Sequence, residues 1–331
     1  MKITTQAYAR AGLLGNPSDG YFGKIVAVSV RNYSSRVCLE ESDILRIEPH
    51  TDDRESYPDI AALHNNIQLY GYYGGVRLIK AAIKKFYEYC REQRQMLHDK
   101  NFKISYESNI PRQLGLGGSS AIITAAIRAL MKFYEINIPK EVQPSLILDA
   151  ELKELGINAG FMDRVVQVYE GCVYMDLNRE LVETRGYGHY ENLDPKILPP
   201  LFLAFKPELG KVSGSVLNPI RVGYDRGDPF VLETLDRIME IADEGRHALL
   251  SGRTGELHNL MNENFDLRSR IMKISESNRE LIETARRCGA SAKFAGSGGT
   301  IIGMYEDEKM FDRLKKELGK FHAQVIRPEI V

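Results

Sequence analysis

Tryptophan is absent from the 331 residues, and cysteine is scarce: Cys38, Cys90, Cys172 and Cys288 are the whole complement. No two of them form a Cys-x-x-Cys pair, and the seven histidines show no ligand spacing. The sequence therefore offers neither a zinc site nor a dithiol redox centre. Long apolar runs are also missing. Nothing approaches the roughly 20 consecutive apolar residues of a membrane span, and the start, Met1-Lys2-Ile3-Thr4-Thr5, lacks an apolar signal core. Nor is there an excess of either charge, since 44 Lys and Arg against 45 Asp and Glu leave a formal net charge of −1. That balance gives no electrostatic footprint for nucleic acid, so the charge of any ligand has to be met locally. Together these absences set the expectation of a cytoplasmic protein with reduced thiols. It should act on small molecules, with neither nucleic acid nor membrane as a partner.

A hydrophobic content of 43% and a charged content of 27% are ordinary for a globular chain. The length favours two domains over one. Residues 3–10 and the β-branched run Ile25–Val30 read as strands, separated by the turn-rich Gly15-Asn16-Pro17-Ser18-Asp19-Gly20. Residues 49–60, with Pro49 and Pro58, read as an exposed loop. Apolar spacings of three and four predict a helix over 75–92. Alternation predicts a strand over 102–107, and an almost uniformly apolar segment predicts a buried helix over 119–134. Further helices are expected over 144–155, 230–251, 254–273, 277–288 and 307–319, with strands at 172–177, 201–205 and 300–304 and a short one closing the chain. Pro195, Pro199 and Pro200 mark a boundary, giving an N-terminal domain of residues 1–195 and a C-terminal one of 196–331. Strands and helices without a regular βαβ alternation argue for an α+β fold.

The richest stretch is Pro111-Arg112-Gln113-Leu114-Gly115-Leu116-Gly117-Gly118-Ser119-Ser120-Ala121. Glycines let backbone N–H groups approach phosphate oxygens, and the following helix N-terminus adds unpaired donors and the positive end of a dipole. A hydroxyl at the loop exit can hold Mg²⁺ or a phosphate. The absence of a Gly-Lys-Ser/Thr exit excludes the P-loop pattern. The expected ligand is a nucleoside triphosphate.

Two more clusters bracket this loop: Ala9-Arg10-Ala11-Gly12-Leu13-Leu14-Gly15-Asn16-Pro17-Ser18-Asp19 and Lys293-Phe294-Ala295-Gly296-Ser297-Gly298-Gly299. In this order the three resemble the signature motifs of the GHMP kinases. The wording around them is similar to the plant-type glucuronokinases from about residue 7 to residue 305. It includes Gly15–Gly23, Gly71-Tyr72-Tyr73-Gly74-Gly75-Val76-Arg77-Leu78 and Asn109-Ile110-Pro111-Arg112-Gln113.

The resemblance implies a two-domain GHMP kinase fold, with an N-terminal nucleotide-binding domain and a ferredoxin-like C-terminal domain. It also implies ATP and Mg²⁺ as cofactors. Gly160-Phe161-Met162-Asp163-Arg164 matches the segment that carries the family's catalytic Asp, so Asp163 is the expected base. Arg10 matches the basic residue of the first motif and would hold Asp163 ionised. The ATP phosphates are expected on Gly115, Leu116, Gly117, Gly118, Ser119 and Ser120, with Gly296, Ser297 and Gly298 packed close by. The metal is expected on Glu151 and on Ser119 or Ser120, the extra Gly118 leaving both serines open. For the substrate, Asp19 can accept from sugar hydroxyls. Asn16 stands where an acidic residue is found in galactokinases, a change that suits an anionic sugar. Arg77, Arg112 and Arg31 are candidates for the sugar carboxylate, and Tyr72 and Tyr73 for stacking. The expected reaction is phosphorylation of D-glucuronate at its anomeric hydroxyl by a monomer or homodimer. The alternatives are a kinase for a heptose, galactose or galacturonate, or a non-catalytic sugar and nucleotide sensor.

Overall fold

Strand β1 (Lys2–Leu14) runs four residues past the expected end, because every residue from Ala7 to Leu14 is buried. It lies antiparallel to β2 (Lys24–Ser42), which is much longer than the six-residue run that announced it. The second half of β2 is polar in composition. Ser35, Val37 and Leu39 nevertheless face inward while Arg36 is exposed, so alternation rather than apolarity defines it. In this computed structural model, residues 1–50, 53, 58–60, 64, 74–207 and 214–330 are described. The loop expected over 49–60 falls largely outside them, and Tyr72 and Tyr73 fall wholly outside.

The first sheet has the order β3-β4-β2-β5-β6, with β1 on the other side of β2. Here β3 is Arg46–Ile47, β4 Asn101–Ser108, β5 Cys172–Asp176 and β6 His189–Leu193. The two halves of β2 serve different neighbours: Ser35–Ser42 pairs with β4, and Lys24–Val28 with β5. Among the described residues, the helices α1 (Gly75–Glu92), α2 (Gly118–Phe133), α3 (Gln143–Asp149) and α4 (Met162–Tyr169) belong with this sheet. Helix α2 is the central one. Ile122, Ile123, Ala125, Ala126, Ile127 and Leu130 are all buried, and Thr5 of β1 donates to the Ala125 carbonyl at 2.6 Å. The helix expected over 144–155 ends its α-helical part at Asp149 and continues as one π-helical turn, Ala150–Glu154. A short helix absent from the sequence reading, α5 (Arg179–Arg185), precedes β6.

After Leu193 the chain enters a second sheet. Its strands are β7 (Leu201–Phe205), β8 (Lys293–Phe294), β9 (Thr300–Met304) and β10 (Gln324–Ile326), in the order β10-β7-β9-β8 and all antiparallel. With α6 (Gly214–Asp225), α7 (Pro229–Leu250), α8 (Glu256–Ile271) and α9 (Glu276–Arg287) between β7 and β8, and α10 (Glu308–Gly319) before β10, this is an elaborated β-α-β-β-α-β ferredoxin-like arrangement. Helix α6, with Pro219 inside it, was not expected. The main core lies between the first sheet and its helices and extends to α7 and α8: Leu13, Leu14 and Val26 share one buried cluster with Ile238, Ile241, Leu257 and Met261. Among the described residues, no helix is long and apolar enough to cross a membrane.

Candidate active site

A single cleft collects residues from all three glycine-bearing segments. Gly117 precedes α2 in the left-handed conformation, at φ +77°, and turns the chain so that the first N–H groups of the helix face the cleft. The loop is fixed from behind. Gln167 of α4 donates to the Gly117 carbonyl at 2.7 Å, and the Leu116 carbonyl accepts from the Arg10 N–H at 3.1 Å. The turn between β8 and β9 lies against it so tightly that a Cβ at Gly296 would collide with the Gly115 carbonyl oxygen. This is a phosphate-sized nest of backbone donors at the start of a sixteen-residue helix.

Beside the nest stands a buried ion pair. Arg10, 5% exposed on β1, donates through Nε to Asp163 Oδ1 at 2.6 Å and through Nη1 to the Gly115 carbonyl at 2.5 Å. One guanidinium thus ties strand β1, the glycine loop and the first turn of α4 together. Burial by itself would raise the Asp163 carboxyl, but Arg10 and Arg164 outweigh it and hold the group below the ordinary carboxylate range. Arg164 also pairs with Glu151, which is fully buried on the π-helical turn. The other Glu151 oxygen accepts from Ser119 Oγ at 2.7 Å. Ser120, fully buried, donates to the Gly117 carbonyl at 3.0 Å and also helps to hold the Asp163 carboxyl down.

On the next stretch of wall, Asp19 accepts from the Met162 N–H at 3.1 Å. Desolvation, with Asp163 adding its charge, pushes the Asp19 carboxyl up to about 6. Deeper in, Lys293 is 1% exposed and its acceptors among the described residues are all neutral: the Gly12 carbonyl at 2.8 Å, the Phe294 carbonyl at 3.0 Å and the side-chain oxygen of Asn16. Burial foremost, and then Arg268 and Arg10, hold its pKa well below that of a free lysine.

Comparison with known proteins bears on the same elements. A family model described as GHMP kinases N terminal domain matches residues 77–171, and one described as GHMP kinases C terminal matches 246–324. The chain is 44% identical over 306 residues to glucuronokinase 1 of Arabidopsis thaliana, covering 91% of this chain and 84% of that one. It is 45% identical over 304 residues to probable glucuronokinase 2 of the same plant, covering 90% and 82%. This chain belongs to the GHMP kinase family. Among solved structures, the Streptococcus pneumoniae phosphomevalonate kinase in complex with phosphomevalonate and AMPPNP superposes with a TM-score of 0.77 at 17% identity. That match covers 99% of this chain and 100% of the other.

In this GHMP kinase the expected residues divide into three groups. Arg10, Asp163, Glu151, Asp19, Gly115, Leu116, Gly117, Gly118, Ser119, Gly296 and Ser297 come together around the cleft. Asn16 lines it too, but its side chain braces Lys293 and the Phe294 carbonyl. Ser120 and Gly298 support the nest from outside. Of the candidate arginines, Arg112 lines the cleft in an exposed position. Arg31 instead lies over the Tyr8 ring and bonds its hydroxyl at 3.2 Å. Arg77, on α1, is not among the lining residues. The sequence reading passed over Arg164, Gln167, Lys293, Arg221 and Arg268 as site residues. Arg164 and Lys293 lie inside quoted motifs and could have been singled out. Arg221 and Arg268 lie in helices with no local signal.

Proposed function

We propose that this sugar kinase transfers the γ-phosphoryl group of ATP to the anomeric hydroxyl of D-glucuronate, giving glucuronate 1-phosphate and ADP. The observation that carries the reading is the Arg10–Asp163 pair held against the glycine nest, in a chain 44–45% identical to two glucuronokinases. In the proposed mechanism the nest's N–H groups hold the triphosphate, and Asp163 accepts the proton of the attacking hydroxyl. Phosphoryl transfer needs chiefly position and charge stabilisation, so one ionised carboxylate within reach suffices. Arg10 keeps that carboxylate charged and adds positive charge near the transferring group.

The half-buried Ser119 Oγ and Oε1 of the buried Glu151 form a pair of hard oxygen donors beside the nest, a set that fits Mg²⁺. These two residues would hold the ion, whose chemistry is to neutralise charge on the β- and γ-phosphates. Asp19 would accept from sugar hydroxyls. A cytoplasmic monomer or homodimer divided at residues 195 and 196, feeding a salvage route to UDP-glucuronate, completes the proposal.

A substrate panel tests it. With ATP and Mg²⁺, glucuronate is expected to be turned over at least about tenfold more efficiently than galacturonate, galactose, glucose or a heptose, a difference of about 1.4 kcal/mol. The phosphorus NMR spectrum of the product should show an anomeric phosphate. A clear preference for a neutral sugar would reject the substrate assignment.

A further inference from the structure

Two arginines in the cleft take no part in the chemistry above, and both come from the second half of the chain. Arg268, on α8, is 2% exposed. Its Nη1 donates to the Gly296 carbonyl at 2.7 Å and its Nε meets Met272 Sδ at 3.1 Å. Its Nη2 has no acceptor among the described residues, and no carboxylate pairs with it there. Burial pulls its pKa down to about 10, which still leaves it charged at neutral pH. A buried cation with a vacant donor is costly unless something completes it.

Arg221, on α6, is one-third exposed. Its Nη2 donates to the Gly20 carbonyl at 2.8 Å, and its guanidinium lies 4.6 Å from the centroid of the Tyr21 ring. Both arginines line the cleft together with Asp19, Gly20 and Tyr21.

Arg10 pairs with Asp163 and Arg164 with Glu151. Arg221 has a partly exposed ion pair with Asp225 at 3.8 Å, whereas Arg268 has no carboxylate partner among the described residues. The reacting hydroxyl belongs beside Asp163 at the nest, and in a hexuronate pyranose the carboxylate sits on C5, across the ring oxygen from the anomeric carbon, so it belongs on the adjoining wall of residues 19–21, where Asp19 accepts from the Met162 N–H.

We infer that Arg268 and Arg221 form the socket for the carboxylate of the sugar acid, and that this pair sets the preference for a uronic acid over its neutral hexose. Guanidinium forks match carboxylate geometry, whereas a hydroxymethyl group in their place would leave Arg268 unsatisfied. The inference rests on the glucuronate reading.

The test compares kcat/KM for glucuronate and for glucose, which carries a hydroxymethyl group instead, in the wild type, Arg221→Met, Arg268→Met and Arg268→Lys. The wild-type ratio alone judges the glucuronate reading, and a wild type that prefers glucose overturns both statements. Given a wild-type preference for glucuronate, each Met variant should lose about tenfold to a hundredfold in kcat/KM for glucuronate, chiefly through KM. The glucuronate-to-glucose ratio should fall with it, while the KM for ATP stays within about threefold. Arg268→Lys should fall between, because an ammonium supplies charge without the fork. If Arg268→Met does not fold, Arg221→Met and Arg268→Lys decide the matter. An unchanged glucuronate-to-glucose ratio in the folded variants overturns the inference. So does an equal loss on both sugars with a raised KM for ATP, which would place the arginines on phosphate or structure instead.

Discussion

Asp163 is ionised because two guanidinium groups outweigh its burial, and that balance makes it usable as a base. Replacing it with Asn keeps the shape and removes the proton acceptor. Asp163→Asn is expected to lower kcat by about 10²- to 10⁴-fold while calorimetric ATP binding stays within about threefold, since the nest is built from backbone. Unchanged turnover would take Asp163 out of the mechanism. Asp19 stands in the opposite situation. Its carboxyl is raised to about 6 by desolvation, so its ionised form is costly in the folded chain and that cost is relieved as pH falls through about 6. A raised carboxyl binds its proton in the native state before the unfolded one does, so this group favours folding at acid pH, the reverse of a salt-bridged carboxylate. For catalysis the sign is different, because a protonated Asp19 accepts fewer hydrogen bonds from the sugar. The acid limb of kcat/KM for the sugar is expected near pH 6 and should disappear in Asp19→Asn. A limb that persists in that variant belongs to another group.

The start of α2 shows what one element needs from individual positions. Gly117 is left-handed, and a Cβ there would stand 3.1 Å from Asp163 Oδ2. Gly118 opens the helix, and a Cβ there would meet Ile110 Cγ2 at an ordinary 3.6 Å. Without ligand, Gly117→Ala is expected to cost roughly 1–2 kcal/mol by chemical denaturation. Gly118→Ala should be neutral or gain up to about 1 kcal/mol. Equal effects would mean that the nest does not depend on the turn at Gly117.

At the same helix start it is Ser119 that bonds Glu151, which makes it the proposed metal ligand of the two serines. Ser119→Ala should lower kcat/KM about tenfold or more and raise the Mg²⁺ requirement. Ser120→Ala should lose about 1 kcal/mol of stability with its bond to Gly117, and keep its rate within about threefold. The opposite pattern would move the metal ligand to Ser120. Most of the long elements were readable because their patterns are local. The apolar residues of α2 announce a buried helix, and the β-branched run announces the start of β2. The second half of β2 was missed because its composition is polar and only pairing with β4 on one side and β1 on the other makes it a strand. Helix α6 was missed because Pro219 breaks the local pattern.

Across the whole molecule, the first and third motifs hold the two sheets together. Lys293 of the second sheet bonds the Gly12 carbonyl and the Asn16 side chain, and the Ala295 carbonyl accepts from the Gly12 N–H at 2.7 Å. The buried ammonium lies well below its free value of 10.5, so the unfolded chain binds the extra proton over the interval between the two. Its contribution to stability therefore rises with pH across that interval. The melting temperature of the wild type relative to Lys293→Met is expected to climb as pH rises towards the free value of 10.5. A constant difference would mean that Lys293 keeps its proton on folding.

The sequence by itself determined the family, the glycine nest, the residues of the Arg10–Asp163 pair and the order of most elements. These rest on short segments whose spacing dictates their local geometry. Only the tertiary structure decided which serine faces Glu151, that Asn16 is a brace for Lys293, and that Arg221 and Arg268 enter the cleft. Each of those depends on contacts between residues far apart in the chain, and burial next to a distant partner leaves no mark on the local pattern.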